Sequence, residues 1–407
     1  MSFIFKHFKK TKSNVLYVSI FILLFLLFGV QAFKVAFVRH WPDLGIYLAA
    51  SNQFLHGNNP YVIVVHGGFI YPLTLTYLLI PLALIHSYIS QFIWYILSVG
   101  AYIYSVATFQ KIFNIPKENQ LIITFIITLL FVSIIQDDLI HSNINLIILA
   151  LTIASFSKLL DNKIFLGLML LSLAISIKLS PIVLSLWVIL FSLSKNYNIK
   201  SASINLSILI TLISVFIVLI PFLVHGTKVL EWYKYYYDNF LLQQMKFSGV
   251  SKYNFTLAGG INTLLGQGAY PSFTLKLMSG LLLCSLPSWI ALFRNRIIPS
   301  FLLCLQIIPL TGTNGEQHHL VFLIPSFVYI LNIAYKNTLI LNRSELKFNP
   351  KYFTLLCLVL ATFLLMILWG NNVPSIPIEM FGLLSVFALT VLFALNETKF
   401  ERTNIYC

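Results

Sequence analysis

VLYVSIFILLFLLFGVQAF, residues 15–33, contains no Asp, Glu, Lys or Arg. A bilayer core about 30 Å thick needs ~20 apolar residues as helix, or ~17 at the short end. A helix also satisfies its own backbone polar groups, as lipid requires. The run therefore reads as a membrane span. No small-residue cleavage site follows it, so a removable leader is not expected.

Further charge-free apolar runs follow at Leu121–Ile135, Ile144–Ser157, Ile204–Val224 and Phe353–Trp369. Over 407 residues, 58% are hydrophobic and 9% charged, against roughly 45–50% and about 25% in soluble domains. The expected fold is all-α: a polytopic transmembrane helical bundle of about 11–13 spans, forming a single integral membrane domain over residues 1–407. A soluble second domain, a Gly-rich phosphate loop and low-complexity tracts are absent from the sequence. Cys284, Cys304 and Cys357 lie in apolar runs and Cys407 is the last residue, so neither a disulfide framework nor metal spacing is present.

The formal charge of +14 follows topology and is not a nucleic-acid footprint. Lys and Arg cluster at Lys6, Lys9, Lys10 and Lys12, at Lys195 and Lys200, and at Arg294 and Arg296. Further clusters are Lys336, Arg343, Lys347 and Lys351, then Lys399 and Arg402. The positive-inside rule assigns these to the cytoplasm. Counting from them, and from a cytoplasmic N-terminus, places residues 38–70 and 225–271 outside as the main extracytoplasmic loops. Residues 312–318 and 370–376 are placed there too, with Lys178 and Gln136–Asn143 at the outer face. Tyr71–His86 and Tyr88–Phe113 read as two spans, yet Lys111 and Lys117 prefer the cytoplasm. Either one segment is re-entrant or those lysines break the rule.

Polar groups are costly in lipid, and here they gather at the outer ends of spans. Arg39, His40 and Asp43 follow the first run in HWPDLGIYLAASNQFLHGNNPY, residues 40–61. Asp137, Asp138, His141, Asn143 and Asn145 lie in QDDLIHSNIN, and Lys178 in SIKLSP. Asn254 and Asn262 share the 225–271 loop with EWYKYYYDNF; Glu316, His318 and His319 lie in TGTNGEQHHLVFLIP. Each has an ordinary reading. Asp137 and Asp138 suit a helix N-terminus, Lys178 can snorkel to headgroups, and the tyrosines suit an interfacial belt. His318 and His319 alone are no metal motif, because adjacent helical residues point about 100° apart. It is their joint order along the chain that carries information.

In that order the stretches resemble glycosyltransferase family 87, a family of membrane glycosyltransferases with the GT-C fold. The resemblance runs over residues 43–325. It is carried by DLGIYLAASNQFLHGNNPY, FIYPLTLTYLLIPLALI, HSNINLIILAL, GLMLLSLAISIKLSP, YNFTLAGGINTLLG and EQHHLVFLIP. Departures fall at Leu73, at His141-Ser142 or Ser142-Asn143 in place of Gly-Gln, at Phe255 and at Gly315-Glu316.

The resemblance implies an inverting transfer of a hexose, mannose first, from a polyprenyl-phosphate donor to an extracytoplasmic glycolipid or glycan acceptor in a plasma membrane. Such a displacement needs one base and groups that stabilise the leaving phosphate, unlike the carboxylate pair of a glycosidase. Asp43 is the implied base. Lys178, His318, His319 and Arg39 are the implied phosphate holders, and Tyr47, Tyr61, Tyr71, Asn145, Asn254 and Glu316 are further substrate-binding candidates. The sequence requires no cofactor and no metal, although Asp137, Asp138 and Glu316 leave a divalent cation open. A secondary transporter would keep its polar groups at the bilayer midplane in repeated halves. A lipid-linked polysaccharide polymerase or ligase would use Arg in large outer loops, and the 225–271 loop has none.

Overall fold

In the computed structural model the first apolar run becomes α1 (Lys12–Val38). The structure describes residues 12–38, 43–63, 68–196, 198–241, 257–264, 273–294, 296–311, 317–340, 384–388 and 390–392. Phe25, Phe28 and Ala32 form the buried stripe of α1, while Ile22, Leu23, Leu26, Leu27 and Val30 stay exposed. An apolar face turned away from protein is what a lipid-facing helix shows. Among the described residues there is no strand. The architecture is all-α, as the apolar runs predict.

Among the described residues four helices are long and apolar enough to cross a membrane: Val18–Phe37, Ser87–Ile112, Ile199–His225 and Thr274–Arg294. Six shorter apolar helices, of 10–17 residues, accompany them. The expected span Phe353–Trp369 lies outside the described residues. Tyr71–His86 holds only α3 (Leu73–Ala83), 11 residues long, about 16 Å at 1.5 Å per residue. It is followed by α4 (Ser87–Ile112). α3 alone falls short of the length that a bilayer core needs, whereas α4, at 26 residues, exceeds it.

Leu121–Ile135 does not form one straight span. Asn119–Leu130 and Val132–Ile140 are bent by 71°, giving α5 (Lys117–Leu130) and α6 (Val132–Ile140). Phe131 at the break is fully buried, and its ring meets Phe327 edge-on at 5.1 Å. The chain contains no Pro or Gly there, so a tertiary contact fixes the bend, not a local breaker.

The core lies between α7 (Asn145–Leu160), α8 (Ile164–Ile177), α9 (Leu184–Asn196) and the later α14 (Phe273–Arg294) and α15 (Ile297–Thr311). Phe156 and Phe301 stack at 3.9 Å, with Trp187 edge-on to both at 5.2 Å. At Gly167 a Cβ would sit 2.6 Å from Leu159 Cγ, so α7 and α8 approach as closely as glycine permits. Buried amides tie helices together, as Gln306 does to Ser326 at 2.6 Å and to Thr390 at 2.8 Å.

The two expected outer loops are partly helical. Residues 38–70 hold α2 (Asp43–Leu55) and a 3₁₀ turn, Pro60–Val62. In the chain after α10 (Ile199–Ser214) come a π-helical turn, Val215–Leu219, and α11 (Ile220–His225). Residues 225–271 then hold α12 (Lys228–Tyr236) and α13 (Leu257–Leu264). The EWYKYYYDNF aromatics are not all a surface belt: Trp232 and Tyr236 are buried, and Tyr237 is exposed. Carbonyls of the π turn accept from other elements, Phe216 O from Thr74 and Tyr77 at 3.1 Å each, Ile217 O from Tyr233 at 2.5 Å.

Candidate active site

Asp43 opens α2, where a carboxylate is favoured by the helix dipole. Its backbone N–H donates to His141 O at 2.9 Å, so the end of α6 holds the start of α2. Asn143 Nδ2 donates to Asp43 Oδ2 at 2.7 Å. One helical turn on, the Tyr47 hydroxyl lies 3.5 Å from the same oxygen and 3.1 Å from the Tyr71 hydroxyl. The two rings meet edge-on at 5.0 Å.

Tyr47 is buried. Burial, then the Tyr71 and Asp43 charges, push its phenol well above the ordinary value, with Asp138 contributing to the same field. Tyr47 therefore remains an O–H donor through the physiological range. Asp138 is itself fully buried, close enough to act on Tyr47.

Lys178 ends α8 in an extended conformation, its N–H bonded to Ala174 O at 3.1 Å. Pro181 lies in the 3₁₀ turn Ser180–Val183 that follows, and a cation at a helix C-terminus suits the dipole. Lys178 Nζ donates to Asn145 Oδ1 at 2.7 Å and lies 3.2 Å from His319 Nε2. An ammonium has only donors. With Lys178 charged, His319 Nε2 is the acceptor and the ring proton sits on Nδ1. The same ammonium stands 5.6 Å from the Tyr71 ring centroid, within cation–π range.

Asn145 begins α7 and is buried; His319 lies in the 3₁₀ turn Gln317–Leu323. Asp43, Tyr71, Lys178 and His319 are half-buried. The fold thus joins a carboxylate to a Lys–His–Asn cluster through two tyrosines. Such a set can take a proton at one end and hold an anion at the other.

Of the residues singled out from sequence, Asp43, Tyr47, Tyr71, Asn145, Lys178 and His319 are brought together. Tyr61 stands apart from them: it stacks on Tyr236 at 4.8 Å and packs on Phe69 at 5.6 Å, inside an aromatic cluster. Arg39, Asn254, Glu316 and the His318 side chain lie outside the described residues. Sequence reasoning gave no role to Gln91, Ser142 or the His141 carbonyl. A lone Gln in YISQFIW was the available signal for the first. Among the described residues no three His, Cys, Asp or Glu side chains are grouped to hold a metal ion.

Apolar helices thus bring a carboxylate and a cationic cluster together at converging helix ends. The sequence model of glycosyltransferase family 87 matches residues 69–298, more than half of the chain, and the chain belongs to that family. It is therefore a membrane glycosyltransferase of the GT-C type. Tyr71, Asn145 and Lys178 fall inside the matched stretch; Asp43 and His319 flank it. Comparison with curated proteins gives no match.

Proposed function

We propose that the protein transfers a hexose, mannose first, from a polyprenyl-phosphate sugar to a hydroxyl of an extracytoplasmic glycolipid or glycan. The acceptor oxygen attacks the anomeric carbon from the face opposite the phosphate. The carbon–oxygen bond to phosphate breaks and its electron pair leaves with polyprenyl phosphate. The acceptor proton passes to Asp43, a step in which a positioned base contributes ~10²–10⁴ in rate. Lys178 and His319 stabilise the charge that grows on the phosphate, and Asn145 holds Lys178 on target. This chemistry draws its positive charge from Lys178 and calls for no metal. The donor is a lipid, which suits residues at helix ends beside a plasma membrane surface.

The observation that carries this reading is the connected path from Asp43 through Tyr47 and Tyr71 to Lys178 and His319. The test is a transfer assay on purified protein in lipid nanodiscs. Synthetic polyprenyl-phosphate mannose and glucose are compared with nucleotide sugars, with membrane extract as acceptor. Transfer from the lipid donors alone, with inverted product, is expected. Transfer from a nucleotide sugar alone, or a retained anomer, would overturn the reading.

A further inference from the structure

The loop between α6 and α7 is held by hydrogen bonds that do not involve substrate. Asn143 N–H donates to Asp138 O at 2.9 Å, and Ser142 N–H to Leu139 O at 3.2 Å. Ser142 adopts φ 53°, a left-handed conformation uncommon for a non-glycine residue. Its hydroxyl accepts from Gln91 Nε2 of α4 at 2.7 Å, and both side chains are buried. This fixes the backbone of Asn143, itself only 2% exposed.

The Asn143 side chain is then oriented by chemistry. Its Oδ1 accepts the Ile144 N–H at 2.8 Å, so the amide nitrogen must be the end that faces Asp43. An amide nitrogen only donates. It can bond a carboxylate oxygen but offers nothing to a carboxylic O–H. Hydrogen bonding to the charged form favours that form, and a charge-assisted bond at 2.7 Å is of the strong kind.

We propose that Asn143 is the positioning residue of the Asp43 carboxylate. The loop 141–144 keeps Asp43 ionised and aimed, and makes Oδ2 the oxygen least suited to take the acceptor proton. This inference rests on Asp43 being the base. Asp43 is anchored through both its backbone, on His141 O, and its side chain, on Asn143. Other titratable groups face the same place: Tyr47 on α2, Tyr71 before α3, Asp138 on α6, and Lys178 and His319 beyond Tyr71. His141 Nε2 lies 3.3 Å from Asp137 Oδ1 beside the loop.

The experiment compares four purified variants in nanodiscs: Asn143→Ala, Asn143→Ser, Asn143→Asp and Asp43→Asn. Transfer is followed from about pH 3 to 9, so that the acidic limb of a carboxylate near or below about 3.9 falls inside the range, with donor binding and thermal stability measured in parallel. Losing a hydrogen bond to a charged group should lower kcat about ten- to a hundredfold at pH 7 with donor binding kept. The acidic limb of the profile should move up by about one pH unit in Asn143→Ala, and further in Asn143→Asp, where two carboxylates meet. Asn143→Ser can still accept from Ile144 N–H but falls short of Asp43, so it should behave like Asn143→Ala. Full activity in Asn143→Ser, or an unmoved acidic limb in folded Asn143→Ala, would reduce Asn143 to a loop cap and overturn the inference. Activity in Asp43→Asn would overturn the underlying reading instead, which separates the two failures.

Discussion

Lys178 Nζ and His319 Nε2 lie 3.2 Å apart although 141 positions separate them in the chain. The pair brings the end of α8 and the turn before α16 (Ile324–Ile340) to one point. With Asn145 holding the other side of the ammonium at 2.7 Å, the cation is aimed and not merely snorkelling. Lys178→Ala and His319→Ala should each reduce sugar transfer by ~10²–10³, the scale for losing one donor to developing charge. Expression and thermal stability should stay near wild type. Near-normal turnover in both variants would leave the pair as helix anchors only.

Asp43→Asn preserves shape and a helix-start side chain but cannot take a proton. Under the proposed mechanism Lys178 and His319 hold the donor phosphate, so transfer should fall by ~10²–10⁴ while binding of a polyprenyl-phosphate sugar persists. Parallel turnover and binding measurements check this. Transfer within a few-fold of wild type would move the base elsewhere.

Orientation can be read by cysteine labelling of a cysteine-free background in intact cells. Asn58 and Tyr237 are exposed in the stretches assigned to the outside, and Lys200 and Arg294 in those assigned to the cytoplasm. An impermeant maleimide should modify Asn58→Cys and Tyr237→Cys and spare Lys200→Cys and Arg294→Cys. The reverse pattern would turn the protein, and its site, over.

Alkaline pH should weaken the fold through its buried phenols. Tyr47 and Tyr61 are both pushed well above the ordinary 10.0, by burial first. Above about pH 10 the unfolded chain loses these protons while the folded chain keeps them. Stability contributed by these groups is therefore complete below that pH and declines as pH rises. Melting curves of wild type should drop in this range, and Tyr61→Phe should drop less steeply. An identical slope in both would discount the phenol.

Gly167→Ala should lower thermal stability. Its Cβ would meet Leu159 Cγ at 2.6 Å and Leu159 N at 3.2 Å, and Leu159 is only 1% exposed. Overpacking of this kind costs about 1–3 kcal/mol. Leu159→Ala removes the nearest atom, so Gly167→Ala should cost less in a Leu159→Ala background than in wild type, a difference that a double-mutant cycle reads. A Gly167→Ala protein as stable as wild type would show that the helices separate freely.

The class of the protein was legible because composition and charge-free run length are direct consequences of the solvent. Asp43, Lys178 and His319 were legible through ordered motifs, each a polar side chain next to an apolar run. The bend at Phe131 was not, because Leu121–Ile135 carries no breaker and the contact that sets it is with Phe327. Asn143 was noticed as polar, but its partner Asp43 is 100 positions away, and no periodicity reports a pairing of that range. Tyr61 lies apart from that cluster. It sits in the same quoted block as Asp43 and Tyr47, yet the chain turns at Gly57 (φ 70°) and delivers its ring to the Tyr236 side of the fold.

The carboxylate, the lysine and the histidine emerge from the ribosome at widely separated times. A nascent chain that has passed Asp43 carries the proposed base with no grip on a lipid phosphate. One that has passed Lys178 still lacks the imidazole that orients the ammonium. Under the proposed mechanism an incomplete product is at best a slow one, and full competence arrives only after the turn at His319 has been inserted beside the earlier helices. On that mechanism a truncated or stalled chain would waste little lipid-linked sugar on water, without any dedicated safeguard.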